Sequence, residues 1–389
     1  MAVNYKRLTP TTEKTYYDEN ETITFETVVD TEVLQGSQHS VELFWEGRDY
    51  SEDGALLDEQ DDITCDHVLG GHGDLASIET RMEKLGIVES IQNYPRYAKS
   101  HKLIRKALSG LGTTSDEATE RVCGSARISK GLLMGYGDST DDGFQVGLSP
   151  LFCLNSLTGD VAGSDVGKIQ IIIKLARATT SLFGDGLTNT ASRRYYKVQA
   201  RLATYTNPNF KTSPGTQMRV IQHYPSVLET DRATLQTFAN PCRGVLMNFI
   251  AQDDNADITE NQYELQPPPG IPPEGASDSD YVNRYYGIER LTYSINDTET
   301  SLITYELKSR EEMVMQALSA MGYPRHLFGT LIRMMQQPER PDGYVIGIDF
   351  GGVIDLRTNK FSCELQSRCG SEDTPYNVDA FFLGVVELA

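Results

Sequence analysis

The residues of this chain that could do chemistry lie in a few short polar strings. DDNADITENQYE is the most metal-like. Asp253, Asn255, Asp257 and Glu264 hold the first, third, fifth and twelfth places of a calcium-loop spacing, in which alternate side chains converge on one ion. The sixth place, where the sharp turn needs glycine, is Ile258, and the flanking MNFIA reads as a strand rather than a helix. A solvated acidic loop explains the string better. Cys65, Asp66, His67 and His72 put ligand types close together. Zinc sites use paired ligands at tighter, regular spacing, so a plain loop is again the simpler reading.

Nucleophile and phosphate motifs are missing. The chain has no GxSxG and no HExxH. The GLG at Gly110 to Gly112 and the GYG at Gly135 to Gly137 lack both a suitably placed lysine and a preceding buried parallel strand. Six scattered histidines suggest no Ser-His-Asp or Cys-His set. The pairs Asp61–Asp62 and Asp141–Asp142 have the chemistry of glycosidase acids, but adjacent aspartates in Gly/Ser loops usually serve solvation. YYDEN and NRYYGIE could line a sugar groove, although paired strand tyrosines are more often core or interface residues. The sequence therefore nominates no catalytic, cofactor-binding or metal-ligating residue, and it predicts folding without a metal.

The elements that position these strings are drawn from 389 residues, enough for two domains at about 100–200 residues each. The net charge of −20 argues against direct nucleic-acid binding, which needs a basic patch to displace counterions. It also argues against attachment to anionic lipid by charge. Six cysteines without a CxxC pair predict free thiols. The start, MAVNYKRLTP, has no apolar signal region, and no run of about 18 apolar residues predicts a membrane helix. A soluble protein folded in a reducing compartment is expected.

Period-2 alternation dominates. Ile23, Phe25, Thr27 and Val29 share a strand face, as do Val41, Leu43 and Trp45, and Phe144, Val146 and Leu148. Ile169, Ile171, Ile173 and Leu175 repeat it opposite Lys168, Gln170 and Lys174. In YYKVQARLATY the pattern predicts Tyr196, Val198, Ala200 and Leu202 inward. TNPNFKTSPGTQ, residues 206–217, reads as a linker. Strand patterns resume in MRVIQHY, GVLMNFIAQ, IERLTYSIN and SLITYELK, and continue through Tyr344 to Phe350, Phe361 to Leu365 and the final NVDAFFLGVVELA. Helical spacing appears in Leu75, Ile78, Met82 and Leu85 after a cap at Asp74, in Leu103 to Leu108, in Met313 to Met321, and over Leu327 to Met335. The acidic and proline-rich strings EDGALLDEQDD, GDSTDDG and QPPPGIPPEGASDSD are loops by composition. The prediction is all-β: two tandem jelly-roll sandwiches, residues 1–207 and 216–389, with a linker at 208–215 and a few short helical insertions.

The order of segments in the second half, LQTFANPCRGVLMNFIAQDDN, YYGIERLTYSIN, LITYELKSREE, a helix and DGYVIGIDFGG, resembles the C-terminal jelly roll of double jelly-roll major capsid proteins. That lineage includes virophages, Polinton-like viruses, giant viruses and the related adenovirus hexon. The corresponding features are the proline and hydrophobic run from Pro241 to Ile250, the turn at Ser294 to Asp297 and the polar helix start at Ser309 to Glu312. ETITFETVV, SVELFWEG and VESIQNYPRY resemble parts of the N-terminal roll, the last within a helical insertion.

The resemblance implies a structural subunit of an icosahedral virion, assembled inside the host cell as homotrimeric pseudo-hexagonal capsomers. Its partners would be copies of itself, neighbouring capsomers, and penton, minor capsid or cement proteins. The mechanism would be interface complementarity repeated by symmetry, without catalysis or cofactor. Two other readings stand beside it. One is a minor virion protein at the vertex or in receptor attachment. The other is a β-sandwich carbohydrate-active enzyme, which would need two carboxylates about 5–10 Å apart in one groove.

Overall fold

The computed structural model describes residues 3–388 apart from 56, 58–62, 67, 110–143, 230–231, 238–239, 267, 269–287, 297–300, 309, 324–343 and 368–374. Three sheets carry the architecture. A seven-stranded sheet draws only on residues 4–205, with Val41–Tyr50 and Ser192–Tyr205 paired near its centre. A four-stranded sheet runs in the order Arg232–Thr237, Lys360–Gln366, Arg290–Asn296, Ser301–Leu307. The third sheet has eight strands and backs both. Its order is Val345–Ile354, Cys242–Ala251, Tyr376–Glu387, Gln217–Leu228, then Gly86–Ile91, Leu75–Met82, Lys168–Leu175 and Thr22–Val28. The four strands from each side of the 206–216 segment stay together. Where the two groups meet, Gln222 pairs with Ser90 in parallel.

Each part of the long sheet faces one of the other sheets across an apolar core, which makes two jelly-roll sandwiches. Alternation sets the inward faces: Phe25, Leu43, Trp45 and Ile171 in one core, Met247, Leu291, Phe361 and Phe382 in the other. The free side of Thr22–Val28 is covered by the N-terminal segment, where Thr11 N–H donates to the Thr24 carbonyl at 2.9 Å and Pro10 bridges Phe25. Covering an edge in this way removes a template for unwanted pairing.

Two stretches depart from the sequence reading, and both contain bulges. Residues 75–85 do not form a helix; Leu75–Met82 is a strand. Opposite it, Lys174 pairs with Ser77 and Leu175 with Leu75, leaving Ala76 as an extra residue. The insertion puts Leu75 and Ile78 on one face three residues apart, which imitates a helical step. Ile78, Thr80 and Met82 then alternate inward. The second bulge lies in Ser192–Tyr205, where the register against Val41–Tyr50 shifts between Tyr196 and Gln199 and Lys197 takes a φ of +52°. Faces reverse there. Arg193 and Tyr195 point inward before it, Val198, Ala200 and Leu202 after it, so Tyr195 and not Tyr196 is the core residue.

The predicted 103–108 segment lies inside the longer helix Tyr94–Ser109, and the 313–321 segment matches helix Arg310–Ala320. Of VESIQNYPRY only the second part is helical, because the first belongs to strand Gly86–Ile91. The helix expected over 327–335 lies outside the described residues.

Strands Cys242–Ala251 and Tyr376–Glu387 are nearly continuous apolar runs because both their faces are buried. One face looks into the C-terminal core. Helix Tyr94–Ser109 packs on the other, with the Tyr97 and Phe381 rings 5.4 Å apart. Beside it, helix Arg310–Ala320 lies on strand Val345–Ile354 so closely that a Cβ on Gly347 would stand 2.8 Å from the Ala317 Cα.

Candidate functional site: a buried polar seam

Helix Tyr94–Ser109 is contributed by the first half of the chain but lies against strands of the second. Pro95 suits its first turn, where a backbone donor is not needed. The polar residues Arg96, Lys99 and Ser100 on its buried face form the centre of a seam. Arg96 donates to Asp379 at 2.6 Å, and Asn93 donates to the same oxygen at 3.1 Å. His223 Nε2 lies 2.7 Å from the other Asp379 oxygen. Burial works against this carboxylate, but Arg96 and His223 outweigh it and hold its pKa at about 2. Asn248 donates to Ser100 Oγ at 2.9 Å and to the Arg96 carbonyl at 3.3 Å.

Further along the helix, Lys99 donates to Asp66 Oδ2 at 2.6 Å, and Asn261 Nδ2 donates to the same atom at 2.7 Å. Tyr263 O–H donates to the Gly73 carbonyl at 3.1 Å, and Gln262 to the Thr179 carbonyl at 3.0 Å. Where the halves of the long sheet meet, buried Glu89 accepts the N–H groups of Cys153 at 2.8 Å and Ile221 at 2.7 Å. Burial pushes its pKa up to about 7 even so. Ser156 and Thr158 add hydrogen bonds with the backbone of Arg219 and Gln217. Buried polar networks of this kind fix one relative placement, because any other leaves charges unpaired.

A second buried cluster lies within the first sandwich. Arg193, wholly buried, bonds Asp49 and Ser181 and reaches Asp74 at 2.9 Å, while Trp45 Nε1 donates to Asp74 at 3.1 Å. Asp74, expected as a helix cap, is therefore a core acceptor.

The outward face of the seven-stranded sheet is rich in arginine and aromatic side chains. The Arg194 guanidinium lies 4.7 Å from the Tyr16 ring centroid and 5.1 Å from that of Tyr50. Arg48 lies 4.9 Å from Tyr196, and Arg201 4.5 Å from Phe44. The hydroxyls of Tyr50 and Tyr196 are 3.1 Å apart. Stacked arginines and tyrosines are the side chains enriched at the centres of protein interfaces.

The sequence-nominated strings fare differently. In DDNADITENQYE, Asn255 turns its oxygen to Arg96 and Asp257 accepts from Thr259, so they do not converge with Asp253 and Glu264 on one point. Among the described residues no three His, Cys, Asp or Glu side chains are grouped to hold a metal. Cys65 and Asp66 are buried apart from any such set, and His72 Nδ1 lies 2.6 Å from the Tyr94 hydroxyl. His67, Asp61–Asp62, Gly110–Gly112, Gly135–Gly137, Asp141–Asp142 and most of NRYYGIE lie outside the described residues. Of YYDEN, Tyr17 is buried and Tyr16 joins the arginine face. The four described cysteines, Cys65, Cys153, Cys242 and Cys363, are buried free thiols; Cys123 and Cys369 lie outside the described residues. A cavity of about 260 Å³ opens at the start of helix Tyr94–Ser109, between Asn93, Arg96, Asn255, Asn377 and Asp379. Its one carboxylate is already paired, so it lacks the two that glycoside hydrolysis uses.

Two jelly rolls in tandem, backed by one long sheet and joined by a polar seam, define a double jelly-roll fold. Among solved structures the chain is similar to the Faustovirus major capsid protein, at 8% identity and a TM-score of 0.57, covering 99% of this chain and 90% of that one. It is also similar to a chain of the Sputnik virophage solved by cryo-EM, at 10% identity and a TM-score of 0.53, covering 100% and 86%. At these identities the likeness is one of fold. No protein-family profile matches the chain, and no curated protein matches it.

Proposed function

We propose that this chain is the major structural subunit of an icosahedral virion shell and assembles as homotrimers of pseudo-hexagonal outline. Its two jelly rolls are residues 1–207 and 216–389, joined by a linker at 208–215. The observation that carries the reading is the seam of Arg96, Lys99, Glu89 and Asp379, which makes two sandwiches one block in a chain similar over 99% of its length to the Faustovirus major capsid protein. Three such blocks place six similar units around one axis, and that outline tiles a surface. The arginine–tyrosine face offers one contact between copies, since the chain is otherwise strongly acidic. Further partners are neighbouring capsomers and penton, minor capsid or cement proteins. The role needs no catalysis and no cofactor, and the protein resides in the shell after assembly inside the host cell. Negative-stain images of the purified protein test the reading: three-fold particles with a hexagonal outline are expected, whereas five-fold rosettes would make it a vertex protein.

A further inference from the structure

One constellation in the seam contains more chemistry than holding two sandwiches together requires. Lys99, Asp66 and Asn261 meet at a single oxygen, with the Lys99 side chain wholly buried and that of Asp66 4% exposed. We propose that Lys99 and Asn261 become joined by an isopeptide bond, formed by the protein on itself with Asp66 carrying the protons.

Each part of that reaction has a group in place. Lys99 is the nucleophile, and the Asp66 carboxylate that accepts its hydrogen bond is the base that takes its proton. Asn261 is the electrophile. Its Oδ1 accepts the Tyr263 N–H at 3.1 Å, so a backbone donor already stands where negative charge develops during attack on the amide carbon. Its Nδ2, the leaving group, points at Asp66 Oδ2 from 2.7 Å. Asp66 cannot swing away, because its Oδ1 accepts the N–H groups of Val68 at 2.9 Å and Leu69 at 3.0 Å. Both reacting nitrogens therefore lie on one fixed carboxylate oxygen, an arrangement that converts an encounter into a local step.

The step balances without any further reagent. Asp66 takes a proton from the Lys99 ammonium, and the neutral amine attacks the Asn261 carbonyl carbon to form the new C–N bond. Asp66 then passes that proton to Asn261 Nδ2, the old C–N bond breaks and ammonia leaves; the new amide nitrogen gives its remaining extra proton to the freed Asp66 carboxylate, from which the departing ammonia carries it off as ammonium. Nothing is oxidised or reduced. Burial raises the Asp66 pKa, but Lys99 and Asn261 outweigh it and hold it below the ordinary value, so the resting pair is ionic. The reaction draws on the minor neutral pair and is accordingly a slow maturation step. Its product ties helix Tyr94–Ser109 to the loop that follows strand Cys242–Ala251, a covalent bond between the two halves that closes a long stretch of chain.

Mass spectrometry of the denatured full chain decides the matter. The expected result is a species lighter than the sequence mass by one ammonia, with a branched tryptic peptide linking Lys99 to Asn261. Its fraction should grow as the folded protein is stored at neutral pH. Lys99→Arg keeps the ion pair but offers no amine to be acylated, and Asn261→Ala removes the acyl group; both should keep the full mass. A wild-type chain that stays folded by circular dichroism yet holds its sequence mass throughout storage would overturn the proposal. So would loss of water with a Lys99–Asp66 link. The measurement reads single chains, so its failure leaves the assembly reading untouched.

Discussion

Arg96, on a helix from the first half of the chain, and Asp379, in the last strand of the second, meet at 2.6 Å with both side chains at most 5% exposed. The contact spans 283 residues of sequence. Losing one partner leaves the other charged and buried, which is the costly outcome for an ion pair.

Arg96→Ala should therefore destabilise the protein by about 3–5 kcal/mol, read from urea or guanidinium unfolding. Replacing both partners, as Arg96→Met with Asp379→Leu, should cost much less than the single change, because the desolvated charges go together. A double mutant as unstable as Arg96→Ala alone would mean that the pair is not what holds the seam.

Glu89 gives a pH signature. Burial raises its folded pKa from an ordinary 4.5 to about 7, so the folded state binds more protons than the unfolded one between those values. Its contribution is fully present below pH 4.5 and is lost as pH rises through 7. Stability should fall across that window in the wild type, and Glu89→Gln should flatten the slope. An unchanged slope in the variant would show that another group is responsible.

Lys197 tests the bulge. Its φ of +52° is the left-handed region, where a β-branched side chain fits badly. Lys197→Val should cost about 1–2 kcal/mol in thermal or chemical unfolding, while Lys197→Gly should be near neutral. Equal losses from both would point to the Lys197–Glu46 ion pair instead.

These residues show how far the sequence was legible. The alternation of Ile169, Ile171 and Ile173 made the strand plain, since one buried face imposes period 2. The bulges at Ala76 and Lys197 misled the same reading, because one inserted residue changes the apparent period or swaps the faces. The seam was not legible as a site. Asp379 within VDAFFLGVV and Asn248 within GVLMNFIA were visible as lone polar residues in apolar runs. Their partners Arg96 and Ser100 lie far away in sequence, and no local pattern connects them. Arg193 and Lys99, both wholly buried, look like ordinary surface cations in the sequence.

The arginine–tyrosine face yields a prediction about contacts between copies. Arg48→Glu with Arg194→Glu should weaken association while costing single-chain unfolding only about 1–2 kcal/mol, since half-buried Arg48 and exposed Arg194 each give up a surface cation–π contact. Dilution series followed by mass photometry would read it. Unaltered association would assign the contact to another surface.

In the proposed function this chain works by assembling in threes. Multi-angle light scattering on the purified protein at low concentration tests it most directly. A mass of three 43.3 kDa chains is expected, stable on dilution because an obligate interface of this class buries more than about 2,000 Å². A persistent monomer would contradict it.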